Sequence, residues 1–286
     1  MKKFIVILIL SYLSSSLFAM DIQKILGVKS NEITYAMDPV EFFYFNENQE
    51  LEIYSEDSLR KEINELHGTY LYDFKREGKF FYLEIKNEKV KEKFLVLLNE
   101  DFLFLFKKGS KKVFWEGHRS IYKNNIDGLY FFYEEEWIKN KDLKASSELK
   151  ENGKKYAVNN LGTLECGKPW IEGVTGNGKG EYIKYRIKGG KIFIFSGYVD
   201  VDKPELYIQN SRPKKLLIET DDKKFYVELK DTPNPQEIII YEKIDREKEY
   251  NIKITIDEVY PGTKYQDTCI NAMAGDFLFG TDKLLY

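Results

Sequence analysis

The sequence contains very few cysteines and histidines, and this scarcity excludes several kinds of chemistry. Its 286 residues include two Cys and two His. Zinc sites are built from such residues at short spacings, and neither His67 nor His118 has a Cys or His at ligand distance along the chain, so we expect no metal centre. Ser–His and Cys–His schemes need a base beside the nucleophile, which makes nucleophilic catalysis equally unsupported. No catalytic residues are therefore predicted.

An excess of one charge is also absent. The chain has 44 Lys+Arg and 47 Asp+Glu, with a formal net charge of −3 and a pI near 5.7. Nucleic-acid binding needs a concentrated positive field, so we expect no nucleic-acid partner. Hydrophobic residues make up 43% of the chain and aromatic residues 15%, which favours a packed core over disorder. At about 100–200 residues per domain, the length predicts two domains.

Long apolar runs are missing beyond the amino terminus. Two lysines precede the short apolar run Phe4–Leu13, and small residues lead to Ala19, which is typical of a signal peptide cleaved near Ala19. A membrane span needs about 20 residues, so an uncleaved anchor is the less favoured alternative. No cysteine stands at the cleavage point to accept a lipid. We expect an exported protein, periplasmic or extracellular, with no transmembrane segment in its mature chain.

Residues 22–138 have the pattern of a β-rich domain of no recognised family. Runs of strand-forming residues alternate with charged turns of hairpin size, which predicts a small antiparallel barrel or sandwich. One short helix is expected after Ser55, because Leu59, Ile63 and Leu66 recur at helical spacing until Gly68. The predicted strands are Glu41–Phe45, Glu50–Tyr54, Tyr70–Phe74, Phe80–Ile85, Phe94–Leu98, Phe102–Phe106, Val113–Trp115 and Leu129–Tyr133.

A charge-rich stretch at residues 139–144 is predicted to link this domain to a second one, residues 145–286. Regularly spaced short strands there indicate a β-sandwich such as a jelly roll, so the whole chain is predicted to be mostly all-β. A glycine-rich segment, Gly176–Gly180, leads into a strand, which favours a tight loop over a phosphate-binding loop. The predicted strands are Tyr182–Lys188, Ile192–Tyr198, Leu206–Ile208, Lys215–Glu219, Lys224–Leu229, Glu237–Tyr241 and Tyr250–Val259.

An ordered set of short motifs in the second domain carries a family resemblance. The motifs are Ala145-Ser146-Ser147, Tyr156, Trp170-Ile171-Glu172-Gly173, Gly180-Glu181-Tyr182-Ile183, Gly197-Tyr198, Asn210-Ser211-Arg212-Pro213-Lys214 and Val259-Tyr260-Pro261-Gly262-Thr263-Lys264-Tyr265-Gln266-Asp267-Thr268-Cys269-Ile270. In order and spacing, residues 145–276 resemble the coagulation factor 5/8 type C, or discoidin-like, domains. The most similar subgroup is the glycan-binding, translocation-type module attached to a bacterial NAD glycohydrolase.

The resemblance implies a jelly-roll sandwich that binds carbohydrate or another surface ligand through loops at one end, and it implies no catalysis. The sequence departs from the family at Thr163-Leu164, in place of an Asp-Gly turn, and at Ala272, in place of an acidic residue. Hard cations need oxygen ligands, so these departures disfavour a bound calcium, and we expect no cofactor.

Five matched residues are candidate ligand-binding residues: Trp170, Glu172, Tyr198, Asn210 and Arg212. Alternatives remain open for each of the larger side chains. Trp170 either stacks on a sugar or fills the core. Arg212 offers a planar fork of donors suited to carboxylates or sugar hydroxyls, but the same donors would also tie loops together internally. Tyr198 fits an ordinary strand position as well as a ligand contact.

The sequence therefore predicts a non-enzymatic, exported binding protein whose partner is a carbohydrate or cell-surface ligand. Two alternatives stay open. In the first, residues 22–135 form a hydrolase domain that the jelly roll targets. In the second, the jelly roll is a protein–protein assembly module. The pairing of Cys166 with Cys269 is also open, since export permits a disulfide without requiring one.

Overall fold

The computed structural model describes residues 33–38, 41–46, 48–57, 62–99, 102–112, 115–120, 143–242 and 249–275. The chain forms two compact units, one of Met1–Lys107 with Phe114–Leu129 and one of Lys108–Val113 with Tyr130–Tyr286. Antiparallel strands dominate both units, which confirms the all-β class. The signal-peptide segment 1–19 and most of the linker 139–144 lie outside the described residues, so export and the predicted domain boundaries remain predictions.

The first unit is a closed barrel in which every strand pairs with the next and the first pairs with the last. Successive side chains of a strand point to opposite faces, so alternate apolar residues fill the interior. Phe43, Leu83 and Val96 belong to this interior core. The strands are β1 (Ile33–Asp38), β2 (Glu41–Phe45), β3 (Glu50–Asp57), β4 (Glu62–Glu77), β5 (Phe80–Lys86), β6 (Lys91–Leu98), β7 (Phe102–Lys107) and β8 (Trp115–Ser120).

The helix predicted in this unit is wrong. Ile63 and Leu66 lie on strand β4, which pairs with β3, while Leu59 is outside the described residues. The register of this pair shifts between Ile53 and Tyr54 and again after Ser55, each time leaving one extra residue in β4. Such bulges break the two-residue alternation of a strand and place apolar residues three apart. The spacing that indicated a helix is therefore that of a bulged strand.

The second unit contains two facing sheets, as expected for a jelly-roll sandwich. One has five strands in the order β16-β15-β18-β13-β9, and the other has four in the order β12-β19-β14-β17. A short hairpin, β10 with β11, lies apart from both sheets. The strands are β9 (Lys144–Ala145), β10 (Lys150–Glu151), β11 (Lys154–Lys155), β12 (Trp170–Ile171), β13 (Tyr182–Lys188), β14 (Lys191–Ser196), β15 (Arg212–Thr220), β16 (Lys224–Glu228), β17 (Gln236–Ile239), β18 (Glu249–Tyr260) and β19 (Cys269–Gly275).

The core of this unit draws on both sheets. Ile183, Tyr185 and Ile187 of β13 alternate inward with the exposed Lys184 and Arg186, which is the pattern of a sheet with one face in the core. A 3-10 helix, Val158–Gly162, adds Val158 and Leu161 to the same core.

The strand predicted at Leu206–Ile208 is wrong, because these residues belong to a one-turn helix, α1 (Leu206–Gln209). The N–H groups of Leu206 and Tyr207 bond the carbonyls of Lys203 and Pro204. Proline presets a backbone angle that suits the first turn of a helix. The turn leaves Tyr207 fully buried and Ile208 37% exposed.

Candidate functional site

Four loops gather at one end of the sandwich, and we call this region the loop end. Its loops are β12–β13 (172–181), β14–β15 (197–211), β16–β17 (229–235) and β18–β19 (261–268). They meet because antiparallel pairing places the ends of β12, β14, β16 and β18 beside the starts of β13, β15, β17 and β19. The Glycine-rich segment Gly176–Gly180 lies in the first of these loops, which confirms the prediction of a loop between strands.

Glu172 joins two of these loops from a fully buried position. Its carboxylate accepts hydrogen bonds from the N–H of Val174 at 2.9 Å and from the N–H of Thr268 at 3.1 Å. The Thr268 hydroxyl in turn donates to the carbonyl of Asn177 at 2.8 Å. Burial raises the pKa of Glu172, an effect that the two N–H donors oppose. The carboxylate is thus a fixed internal connection of the loop end.

Arg212 holds the β14–β15 loop against the β16–β17 loop. Its side chain forms a two-pronged ion pair with Asp231 and donates to the backbone carbonyl of Asn210 at 2.8 Å. Its guanidinium also lies over the Tyr207 ring, 5.2 Å from the centroid. A guanidinium has five N–H donors, and these contacts occupy most of them inside the protein.

The β18–β19 loop is fixed by a close backbone approach at Gly262. The Gly262 N–H donates to the Ser211 hydroxyl oxygen at 3.0 Å, and the N–H of Tyr265 donates to the Gln209 carbonyl at 2.8 Å. A Cβ at Gly262 would lie 2.2 Å from the carbonyl oxygen of Tyr265. Only glycine fits there, and this close approach holds the neighbouring residues of the loop in one defined position.

The structure places the five predicted site residues in and beneath the loop end. Trp170 is fully buried, and its indole N–H donates to the Ser147 carbonyl at 3.1 Å, as its core alternative requires. Glu172, Asn210 and Arg212 are buried too, while Tyr198 is half-buried and donates to the Gly167 carbonyl at 3.3 Å. These contacts give the buried four a supporting position. Their assignment as ligand-binding residues remains a prediction.

Three exposed side chains at the loop end are not among the residues predicted from the sequence. Val174, Ile208 and Tyr265 are 39%, 37% and 38% exposed, and each comes from a different loop. The Lys264 ammonium lies 4.9 Å from the centre of the Tyr265 ring. The turn chemistry of Lys203-Pro204 was the available signal for the exposure of Ile208. Apolar groups held in water on rigid loops are suited to contact a ligand.

Cys166 and Cys269 are buried and free, so the structure contains no disulfide between them. Burial raises the pKa of the Cys166 thiol to about 12 and that of Cys269 well above its usual range. Both side chains act as small apolar groups.

Within the described ranges, no group of three or more His, Cys, Asp or Glu side chains is arranged to hold a metal ion. Leu164 and Ala272, two of the residues that depart from the family pattern, are buried apolar side chains. Of the helices in the described part of the chain, none is long and apolar enough to cross a membrane.

Comparison with known proteins gives one family match. The model of the NAD glycohydrolase translocation F5/8 type C domain matches residues 132–274, an interval that begins before the predicted one and ends two residues earlier. No curated protein matches the chain. Solved structures of the arabinofuranosyltransferase AftD from Mycobacteria are similar at 13% and 14% identity, with TM-scores of 0.33 and 0.30. The similarity covers 46% of this chain and only 10% of each AftD chain.

Proposed function

Because this chain belongs to the NAD glycohydrolase translocation F5/8 type C domain family, we propose that it is an exported binding protein whose loop end recognises a glycan or another ligand displayed on a surface. The matched domain is of a translocation or binding type and is not a catalytic one. The proposal accordingly contains no catalytic step.

The observation that carries the proposal is the presence of three exposed apolar side chains on hydrogen-bonded loops at one end of the sandwich. Val174, Ile208 and Tyr265 come from separate loops, and backbone hydrogen bonds join those loops. An aromatic ring such as that of Tyr265 offers an apolar face and a polar hydroxyl, a combination that suits the apolar face and hydroxyl rim of a sugar. Preorganised loops also lose little conformational entropy when a ligand binds.

Four of the predicted residues are buried beneath this surface and support its loops: Trp170, Glu172, Asn210 and Arg212. Tyr198 lies beside them. In this proposal they act on binding by holding the loops in place. Their replacement would therefore weaken binding together with folding, so they are poor probes of the ligand contact itself.

The test compares exposed loop-end residues with residues of the same type elsewhere in the second unit. Tyr226 and Ile239 are 55% and 51% exposed on the edge strands β16 and β17, and they are the matched controls for Tyr265 and Ile208. Binding of the full mature chain to a glycan array and to intact cells would be measured for Tyr265→Ala, Ile208→Ala, Tyr226→Ala and Ile239→Ala.

We expect the two loop-end variants to lose binding about tenfold or more, as removal of a central contact residue does, and the two edge variants to keep it. Circular dichroism would verify that all four variants are folded. Equal binding by all four variants would overturn the loop-end site. Binding to a protein partner but to no glycan would replace the glycan by a protein ligand, the assembly alternative.

A further inference from the structure

A row of lysines crosses the outer face of the five-stranded sheet. Lys144 of β9 pairs directly with Lys184 of β13, which pairs with Lys253 of β18. The row continues through Glu219 of β15 to Lys224 of β16. Neighbouring strands lie about 4.8 Å apart, so the row is about 19 Å long. Like charges directly opposite each other on a sheet are destabilising, so this arrangement has a cost in the free protein.

Internal ion pairs neutralise only one part of the row. The Glu219 carboxylate is shared by Lys253 at 2.9 Å and Lys224 at 3.1 Å. Across the described residues, neither Lys144 nor Lys184 has a carboxylate oxygen within 4.0 Å. Lys184 lies instead over the Tyr182 ring, 5.0 Å from its centre. Two adjacent, exposed ammonium groups therefore remain available to an anion.

A surface cavity of about 440 Å³ lies beside these lysines. Its walls carry four cationic side chains and the carboxylates of Glu219 and Asp221. Arg186 pairs with Glu249 at 3.2 Å and Lys253 with Glu219 at 2.9 Å, which leaves Lys144 and Lys184 as the source of the positive field. The Asp221 carboxylate is exposed and accepts a hydrogen bond from the Asn251 amide at 3.2 Å. The cavity thus combines a positive field with acceptor oxygens, which suits a ligand that carries both anionic groups and hydroxyl donors.

We propose that this lysine row and its cavity bind a linear acidic polysaccharide. Carboxylate or sulfate groups of the chain contact Lys144 and Lys184, and its hydroxyls donate to Asp221. Binding relieves the repulsion between the lysines. A DNA duplex would supply the anions but few donors for Asp221, which disfavours it. The cavity includes the β15–β16 turn, at the opposite end of the strands from the loop end, so this site does not rest on the proposed function.

The test measures binding of the full mature chain to immobilised polygalacturonate, heparin, neutral dextran and a DNA duplex. The double variant Lys144→Gln/Lys184→Gln is compared with Lys150→Gln/Lys154→Gln, which removes two exposed charges from the β10–β11 hairpin and leaves the net charge equal. At about 50 mM NaCl we expect the first pair to weaken binding to an acidic polysaccharide about tenfold and the second less than about twofold.

A third variant, Asp221→Ala, separates recognition from simple charge attraction. It removes a negative charge, so attraction alone would strengthen binding, whereas a lost hydroxyl contact weakens it. Tighter binding by Asp221→Ala would overturn the proposal, as would equal losses in the two lysine pairs. Dextran or the duplex binding as tightly as the acidic polysaccharides would overturn it as well. A preference for heparin would identify sulfate as the anionic group that is bound, and a preference for polygalacturonate would identify carboxylate. Ile239→Ala, on an edge strand of the other sheet, should leave this binding unchanged.

Discussion

The Arg212 guanidinium and the Asp231 carboxylate form a parallel, two-pronged pair, with Nε 2.9 Å from Oδ1 and Nη2 3.0 Å from Oδ2. Arg212 is only 5% exposed, so the pair lies largely away from water. Removal of one partner from a buried pair leaves the other charge uncompensated, which costs more than the loss of a surface pair. This pair therefore links the stability of the second unit to the arrangement of the loop end.

Arg212→Ala should lower the free energy of unfolding by about 3–5 kcal/mol. Lys214→Ala is the control, since the Lys214 ammonium pairs with Glu258 at 2.8 Å on the exposed surface, where an ion pair contributes little to stability. Arg212→Lys should lie between them because it keeps the charge and loses the fork. Urea denaturation measures all three. Equal stability of the two alanine variants would contradict a buried pair.

Glu172 gives the loop end a defined pH dependence. An acid whose pKa is raised in the folded state binds a proton more readily there than in the unfolded chain, so stability increases as the pH falls toward the ordinary value of 4.5. From pH 7 to pH 5, the wild-type protein should therefore gain stability relative to Glu172→Gln. Parallel slopes for wild type and Glu172→Gln would show that Glu172 does not titrate in this range.

At pH 7 itself, Glu172→Gln should lose about 1–3 kcal/mol despite its similar shape. Both carboxylate oxygens accept from backbone N–H groups, those of Val174 and Thr268. A glutamine offers one oxygen and one NH₂, so one donor would face another donor. Thermal or urea unfolding of the variant measures this loss, and an unchanged stability would mean that the two hydrogen bonds contribute little.

Gly178 should tolerate no side chain. Its φ is +67°, and a Cβ would lie 2.4 Å from Cγ of Glu172. Gly153→Ala is the matched control, because Gly153 has φ +75° and no atom within 4 Å of the corresponding position. Gly153→Ala should cost about 1–2 kcal/mol from the backbone conformation alone. Gly178→Ala should cost about 1–3 kcal/mol more from overpacking, measured by denaturation, and equal costs would contradict the close contact.

The two thiols should be unreactive in the native protein. Both are buried, and the pKa of Cys166 is raised to about 12. The thiolate is the reactive form, so a thiol reagent such as DTNB at pH 8 should detect almost none before unfolding and both afterwards. Detection of no thiol in guanidinium would instead show a disulfide and contradict the structure.

The sequence predicted elements well wherever strands are regular. Strand β13 has its predicted bounds, Tyr182–Lys188, because strictly alternating residues leave only one face for the core. Irregular backbone was predicted poorly. Bulges in β4 produced a spacing of apolar residues that resembles that of a helix. The apolar run Leu206–Ile208 was predicted as a strand, although Pro204 begins a helical turn there. Strand β1 was missed, and it is recognised through its pairing with β2 and β8.

The candidate site was only partly predictable for a related reason. Motifs such as Asn210-Ser211-Arg212 identified residues that hold the loop end together. They did not indicate which of these residues are buried and which are exposed. Exposure of Ile208 and Tyr265 depends on hydrogen bonds between loops more than 50 residues apart along the chain, such as Thr263 N–H to the Ile208 carbonyl. The cross-strand row Lys144–Lys184–Lys253 likewise exists only through sheet order. Such neighbours are properties of pairing and have no local pattern.

The close backbone approach at Gly262 has a consequence for how this surface evolves. The residues that hold the loops are glycines and buried polar side chains, whereas the tips, among them Val174 and Tyr265, project into water. Substitutions at exposed positions usually change stability by less than about 0.5 kcal/mol. Related chains can therefore diversify the tips, and with them ligand choice, while the scaffold stays constant. If so, sequence variation among related chains should be concentrated at these tips and rare at the residues that hold the loops.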